Sequence, residues 1–107
     1  MPESKNALTE VVYYILLSLY TPLHGYGIMQ NVKDLSKNRV DLGPGTLYGA
    51  INTLLSKGWI DPIEGEKGSR KKEYVITDVG KGIVQAEILR LDELIKNGKK
   101  VIKEGQL

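Results

Sequence analysis

The feature that most constrains this chain lies near its end. Val84, Ile88, Leu91, Ile95 and Ile102 follow one another in steps of four and three, with Gly98 at the vacant position. Apolar residues at that spacing form a seam along one side of a helix. Thr77 and Asp78 mark its start, as a capping hydroxyl and a first-turn carboxylate. A helix over residues 78–103 is about 39 Å long. Gly98 weakens it by about 1 kcal/mol relative to Ala and leaves Asn97-Gly98 as an alternative end of the helix, but the pattern continues past it to about residue 103. A chain of 107 residues has too small a core to cover such a rod. The seam residues Val84, Ile88, Leu91 and Ile95 therefore need a second copy of the chain.

The preceding residues read as three helices and a hairpin. Residues 6–20 are apolar almost all round, with Leu8, Val12, Ile15 and Leu19 on one side and Val11, Tyr13, Tyr14, Leu16 and Leu17 filling most of the rest. Such a helix is covered on more than one side. Its outer side, with Val12 and Leu16, is a second dimerisation surface. Thr21-Pro22 ends it, because the residue before Pro avoids the helical region. Residues 26–36 form a second helix with Ile28, Val32 and Leu35 inward. His24 lies at its start, where a cap or surface role is expected. A third helix opens at Gly43-Pro44 with Pro in its first turn. Leu47, Ile51 and Leu54 form its inward stripe, and Gly58 ends it. Residues 59–63 and 73–76 read as strands. Pro62 marks the first of them as a sheet edge or an irregular strand. Between the strands, residues 64–72 hold two Gly and four cations, a long hairpin loop.

This order predicts a mainly α (α+β) fold: a winged helix-turn-helix over residues 1–77, followed by a dimerisation helix over 78–107, in one compact unit. In a helix-turn-helix the second helix of the pair enters the major groove of double-stranded DNA. Opposite its apolar stripe the third helix carries Gly45, Gly49, Asn52 and Ser56, flanked by Tyr48 and Thr53. Small residues permit close approach, and Asn52 can pair with an adenine edge. The free N–H groups near Gly45 and Thr46 can hold a phosphate. Lys67, Arg70, Lys71 and Lys72 lie where a wing would meet the backbone or a narrow minor groove. Net charge is only +2, so the position of these cations carries the reading, not their sum.

Other classes fit poorly. His24 is the only histidine and there is no cysteine. No nucleophile–base cluster or phosphate-binding glycine motif appears, and metal ligands beyond Asp and Glu are missing. No enzyme, cofactor or metal site is expected. The N-terminus lacks the basic start and apolar core of a signal peptide. The run from Ala7 to Tyr20 is too short and too interrupted to span a membrane. A cytoplasmic setting is expected, and the lack of cysteine agrees with it. The alternative is a winged-helix module that binds protein or ligand without an operator.

Four stretches resemble the PadR family of regulators, named for the phenolic acid decarboxylase repressor, in its short form with a single C-terminal helix. They are His24-Gly25-Tyr26-Gly27-Ile28, Gly45-Thr46-Leu47-Tyr48, Leu54-Leu55-Ser56-Lys57-Gly58-Trp59-Ile60, and the segment from Gly68-Ser69-Arg70 through Tyr74-Val75-Ile76-Thr77-Asp78-Val79-Gly80. They occur in the family's order, and the resemblance covers roughly residues 6 to 97. It implies a homodimeric repressor on an inverted repeat. It also implies that the helix beginning near Pro44 reads the operator, with Tyr48 near the backbone and Arg70 to Lys72 on the wing; Tyr26 is a further candidate for DNA contact. Some members bind phenolic acids or planar drugs between aromatics at the dimer interface. Residues 78–107 contain no aromatic, so a platform for a small, aromatic effector would be built from Tyr13, Tyr14 and Tyr20.

Overall fold

In a computed structural model, which describes residues 7–64 and 72–105, seven elements follow the chain. Helix α1 spans Glu10–Ser18, strand β1 Leu23–His24, helix α2 Gly25–Leu35 and helix α3 Pro44–Ser56. Strands β2 (Ile60–Glu64) and β3 (Lys72–Ile76) come next, and helix α4 runs from Asp78 to Gly105. Two-thirds of the described residues are helical, and the three strands among them form one antiparallel sheet in the order β1-β3-β2.

Each boundary has a local cause. The Thr9 hydroxyl accepts from the Val12 N–H at 3.1 Å and caps α1, beside first-turn Glu10. His24 caps α2, its Nδ1 accepting from the Gly27 N–H at 3.3 Å. Pro44 occupies the first turn of α3, where its missing N–H has no partner to lose. Gly58, with φ +74°, turns the chain out of α3 in the left-handed conformation that glycine adopts without strain. The Thr77 hydroxyl accepts from the Gly80 N–H at 3.0 Å and donates to the Gly58 carbonyl at 2.7 Å. One side chain thus starts α4 and joins it to the turn after α3.

The core is a single cluster that includes Ile15, Leu16, Leu19, Ile28, Val32, Leu47, Ile51, Leu54, Trp59, Ile60, Tyr74, Ile76, Ile83 and Val84. It draws on every helix and on the two long strands. The stripe predicted for α3 is buried throughout. Pro62 lies on edge strand β2, opposite Tyr74, where a missing donor costs no ladder bond on the open side. Helix α4 approaches the core so closely that a Cβ on Gly80 would overlap the Trp59 carbonyl and lie 2.7 Å from the Ile76 side chain.

Four sequence expectations are corrected. Helix α1 begins at Glu10 and ends at Ser18, inside the predicted 6–20. Leu35 faces outward, 43% exposed. The chain turns at Ser36, which is buried in its place and bonds the Lys33 carbonyl and the Val40 N–H. Leu16 and Val84, expected at a dimer surface, are buried inside the protomer. Leu16 is on the side of α1 that faces the core. Val84 is in the first three turns of α4, which bury Gly80, Ile83, Val84 and Glu87. The fourth concerns β1: its two residues pair with Tyr74 and Glu73, although nothing in Leu23-His24 alone announces a strand. Helix α4 passes through Gly98 without interruption. No helix of the described residues is long and apolar enough to cross a membrane.

Candidate nucleic-acid interface

The outer face of α3 is formed by small and polar groups. Gly45, Thr46, Tyr48, Gly49, Asn52, Thr53 and Ser56 are all exposed. Space beside Gly45 and Gly49 is open for at least 4 Å around a would-be Cβ, so another molecule can come close to this backbone. Asn52 has no hydrogen-bond partner among the described residues. Thr53 differs: its hydroxyl donates to the Gly49 carbonyl at 3.2 Å and is partly engaged within the helix. The N-terminus of α3 has Gly43 as its cap and no side-chain acceptor there. Its first N–H groups are therefore unclaimed by a cap.

Two tyrosines flank that face. Tyr48, 45% exposed, reaches from α3 to α2 and lies over Gly25. Its ring also lies near Tyr74, whose phenol is pushed up by burial and, second, by Tyr48. Tyr26, 68% exposed, stands on the first turn of α2 and stacks on the His24 ring at 6.4 Å and 27°. His24 thus caps α2 and backs Tyr26 together. The sequence signal for this was only the nearness of His24 and Tyr26.

The wing is partly visible. Lys72 begins β3 exposed, opposite Glu64. Lys67, Arg70 and Lys71 lie outside the described residues. Lys57, just past α3, places its ammonium 5.1 Å from the Trp59 ring, a cation–π contact that sequence reading missed.

The remaining predicted residues divide between two surfaces. Of the seam, Ile88 and Ile95 are exposed and Leu91 half-buried. Val12 on α1 is half-buried. Leu94, Val101 and Ile102 extend the exposed apolar side of α4; Leu94 and Val101 were missed because they flank the four-three pattern instead of following it. Of the three tyrosines of the proposed platform, Tyr13 and Tyr14 meet at 5.9 Å with planes tilted by 39°. Tyr20 is the exposed member of the three, with the Lys81 ammonium 5.7 Å from its ring. Burial first, and Glu87 second, raise the Tyr13 phenol above its ordinary value.

Comparison with known proteins agrees with this architecture. The Transcriptional regulator PadR-like family matches residues 14–86, more than half of the chain. A PadR family transcription regulator from Clostridium difficile superposes with a TM-score of 0.73 at 20% identity, over 88% of this chain and 99% of its own. PadR of Bacillus subtilis, solved in complex with operator DNA, gives 0.60 at 27% identity, over 70% of this chain and 44% of its own. A transcriptional regulator from Clostridium thermocellum gives 0.63 at 25% identity, over 90% of each chain. An uncharacterized 37.1 kDa protein of transposon TN4556 in Streptomyces fradiae is 41% identical over 66 residues, 62% of this chain. That stretch spans only 18% of the transposon protein's length. With the family matched across both the helices and the hairpin, the chain belongs to the PadR-like family of transcriptional regulators.

Proposed function

We propose that the chain is a repressor that binds a palindromic operator as a homodimer. Helix α3 lies in the major groove. Asn52 and the backbone at Gly45 and Gly49 meet base edges, while Thr46, Thr53, Tyr48 and Tyr26 meet phosphates and sugars. Lys67, Arg70, Lys71 and Lys72 hold the flanking backbone as a wing. The observation that carries this reading is the outer face of α3, open at both glycines and bearing an unpartnered Asn52. The family's B. subtilis relative in complex with operator DNA favours the same role here.

Residues 1–77 act as the DNA-binding unit and 78–107 as the dimerisation helix. Ile88, Leu91 and Ile95, with Val12 of α1, face the second copy. The setting is cytoplasmic. Any small-molecule effector is a planar aromatic held at Tyr13, Tyr14 and Tyr20, with Glu87 near the Tyr13 phenol. A gel shift with duplex from upstream of the chain's own gene, against unrelated duplex of equal length, tests the reading. Retarded promoter DNA at concentrations that leave unrelated DNA free is the expected result; equal retardation of both contradicts it.

A further inference from the structure

Gly25 is buried at the first position of α2, and its backbone does not explain its identity. Its φ is not in the left-handed region, which among the described glycines only Gly58 occupies. A helix position also favours alanine over glycine. What the site does require is room. A Cβ there would overlap the Tyr48 hydroxyl, lie 2.8 Å from its Cζ and touch the Leu47 side chain at 3.4 Å. Only the last is an ordinary contact. The end of the Tyr48 side chain therefore occupies the volume that any other residue at 25 would fill. Tyr48 is half-exposed and on α3, so its ring can swing outward at small cost to the fold. A side chain at 25 would then alter the face that α3 presents without disturbing the core.

We propose that Gly25 is a positioning residue for DNA recognition: its absent side chain is the seat that fixes the Tyr48 ring across the two helices of the helix-turn-helix. This inference rests on the reading of α3 as the DNA-contacting helix. Seated on Gly25, the ring spans α2 and α3 and has one orientation toward a phosphate or sugar. Unseated, it rotates into the space where the groove wall would lie, and a contact that positions α3 on the duplex backbone is lost.

The test uses the full chain, a fluorescent duplex from upstream of its own gene and a random duplex. Anisotropy titrations would compare wild type, Gly25→Ala, Tyr48→Ala and the double variant, with thermal unfolding of each. Gly25→Ala should weaken promoter binding about tenfold, the size of one lost hydrogen bond to a charged group, and random DNA by a similar factor, because a phosphate or sugar contact carries no sequence information. The same Gly25→Ala change made in the Tyr48→Ala background should have no further effect, since the ring it displaces is gone. If Gly25→Ala also lowers the melting temperature through this clash, the double variant melts like Tyr48→Ala. Penalties that add in the double variant, or unchanged promoter affinity in Gly25→Ala, overturn the proposal while leaving DNA binding intact. A wild-type chain that does not prefer its promoter duplex overturns both.

Discussion

Arg90 forks the carboxylate of Glu87, Nε to Oε1 at 2.8 Å and Nη2 to Oε2 at 2.7 Å. Only 4% of the Glu87 side chain is exposed, whereas Arg90 keeps 30%. The Leu8 N–H adds a longer bond to Oε2 at 3.4 Å. One carboxylate on α4 thus holds the segment entering α1, at the junction that bears Tyr13. A buried charge is tolerated because it is paired and hydrogen-bonded.

This pair predicts acid sensitivity. The Arg90 hydrogen bond, first among its causes, holds the Glu87 carboxyl below the ordinary carboxylate range against the opposing effect of burial. A carboxyl lowered on folding contributes stability that is fully present above the unfolded value of about 4.3. The contribution is lost as pH falls through the lower folded value. Glu87→Gln should cost on the order of 1 kcal/mol at pH 7, and the gap to wild type should close below about pH 4. Melting curves from pH 3 to 7 check it; a gap independent of pH contradicts it.

Gly80→Ala should be more damaging than its small size suggests. The new Cβ meets the Trp59 carbonyl, which is backbone and also accepts from the Thr77 N–H at 3.0 Å. The start of α4 must shift, at about 1–3 kcal/mol, which lowers the melting temperature by at least about 4 °C in a domain of this size. Gly82→Ala, with nothing near its Cβ, is the control and should melt at or above wild type.

Ile95→Lys tests the second copy. Ile95 is 54% exposed in one protomer, so a lysine there leaves the monomer's core untouched but places charge in an apolar seam. Sedimentation of wild type at micromolar concentration should show twice 11.9 kDa; the variant should sediment at the single mass with unchanged helicity. A monomeric wild type contradicts the dimer.

Asn52→Ala should separate reading from positioning. The side chain is exposed and unpartnered among the described residues, so the melting temperature should stay put. Operator affinity should fall by about 1–3 kcal/mol with random DNA nearly unaffected. Equal losses on both DNAs would assign Asn52 to the phosphate backbone.

Much of this could be read from the chain because its signals are local. The Leu47, Ile51 and Leu54 stripe, Pro44, Gly58 and the Thr77 cap each act within a turn or two, and each holds the role the sequence suggests. Contacts between distant segments left no such mark. Strand β1 exists because Leu23 and His24 meet Tyr74 and Glu73 fifty residues on. Leu16 and Val84 looked available because an apolar helix does not announce which of its sides the core takes. The seat of Tyr48 on Gly25 joins two helices, and the short glycine there reads in sequence as a turn residue. Asn31 donating to Ser18 at 2.9 Å across α1 and α2 was equally silent.

The central claim, that two copies of α3 read one two-fold site, is tested most directly by titrating the chain against three duplexes. These are a palindrome selected from its own upstream region, one half-site in random flank, and random sequence, each at several salt concentrations. The account predicts that the palindrome binds at least about a thousandfold more tightly than random DNA, that the half-site falls well short of it, and that affinity drops steeply as salt rises. A half-site bound as tightly as the palindrome would contradict the dimeric reading, and equal affinity for all three would contradict operator recognition itself.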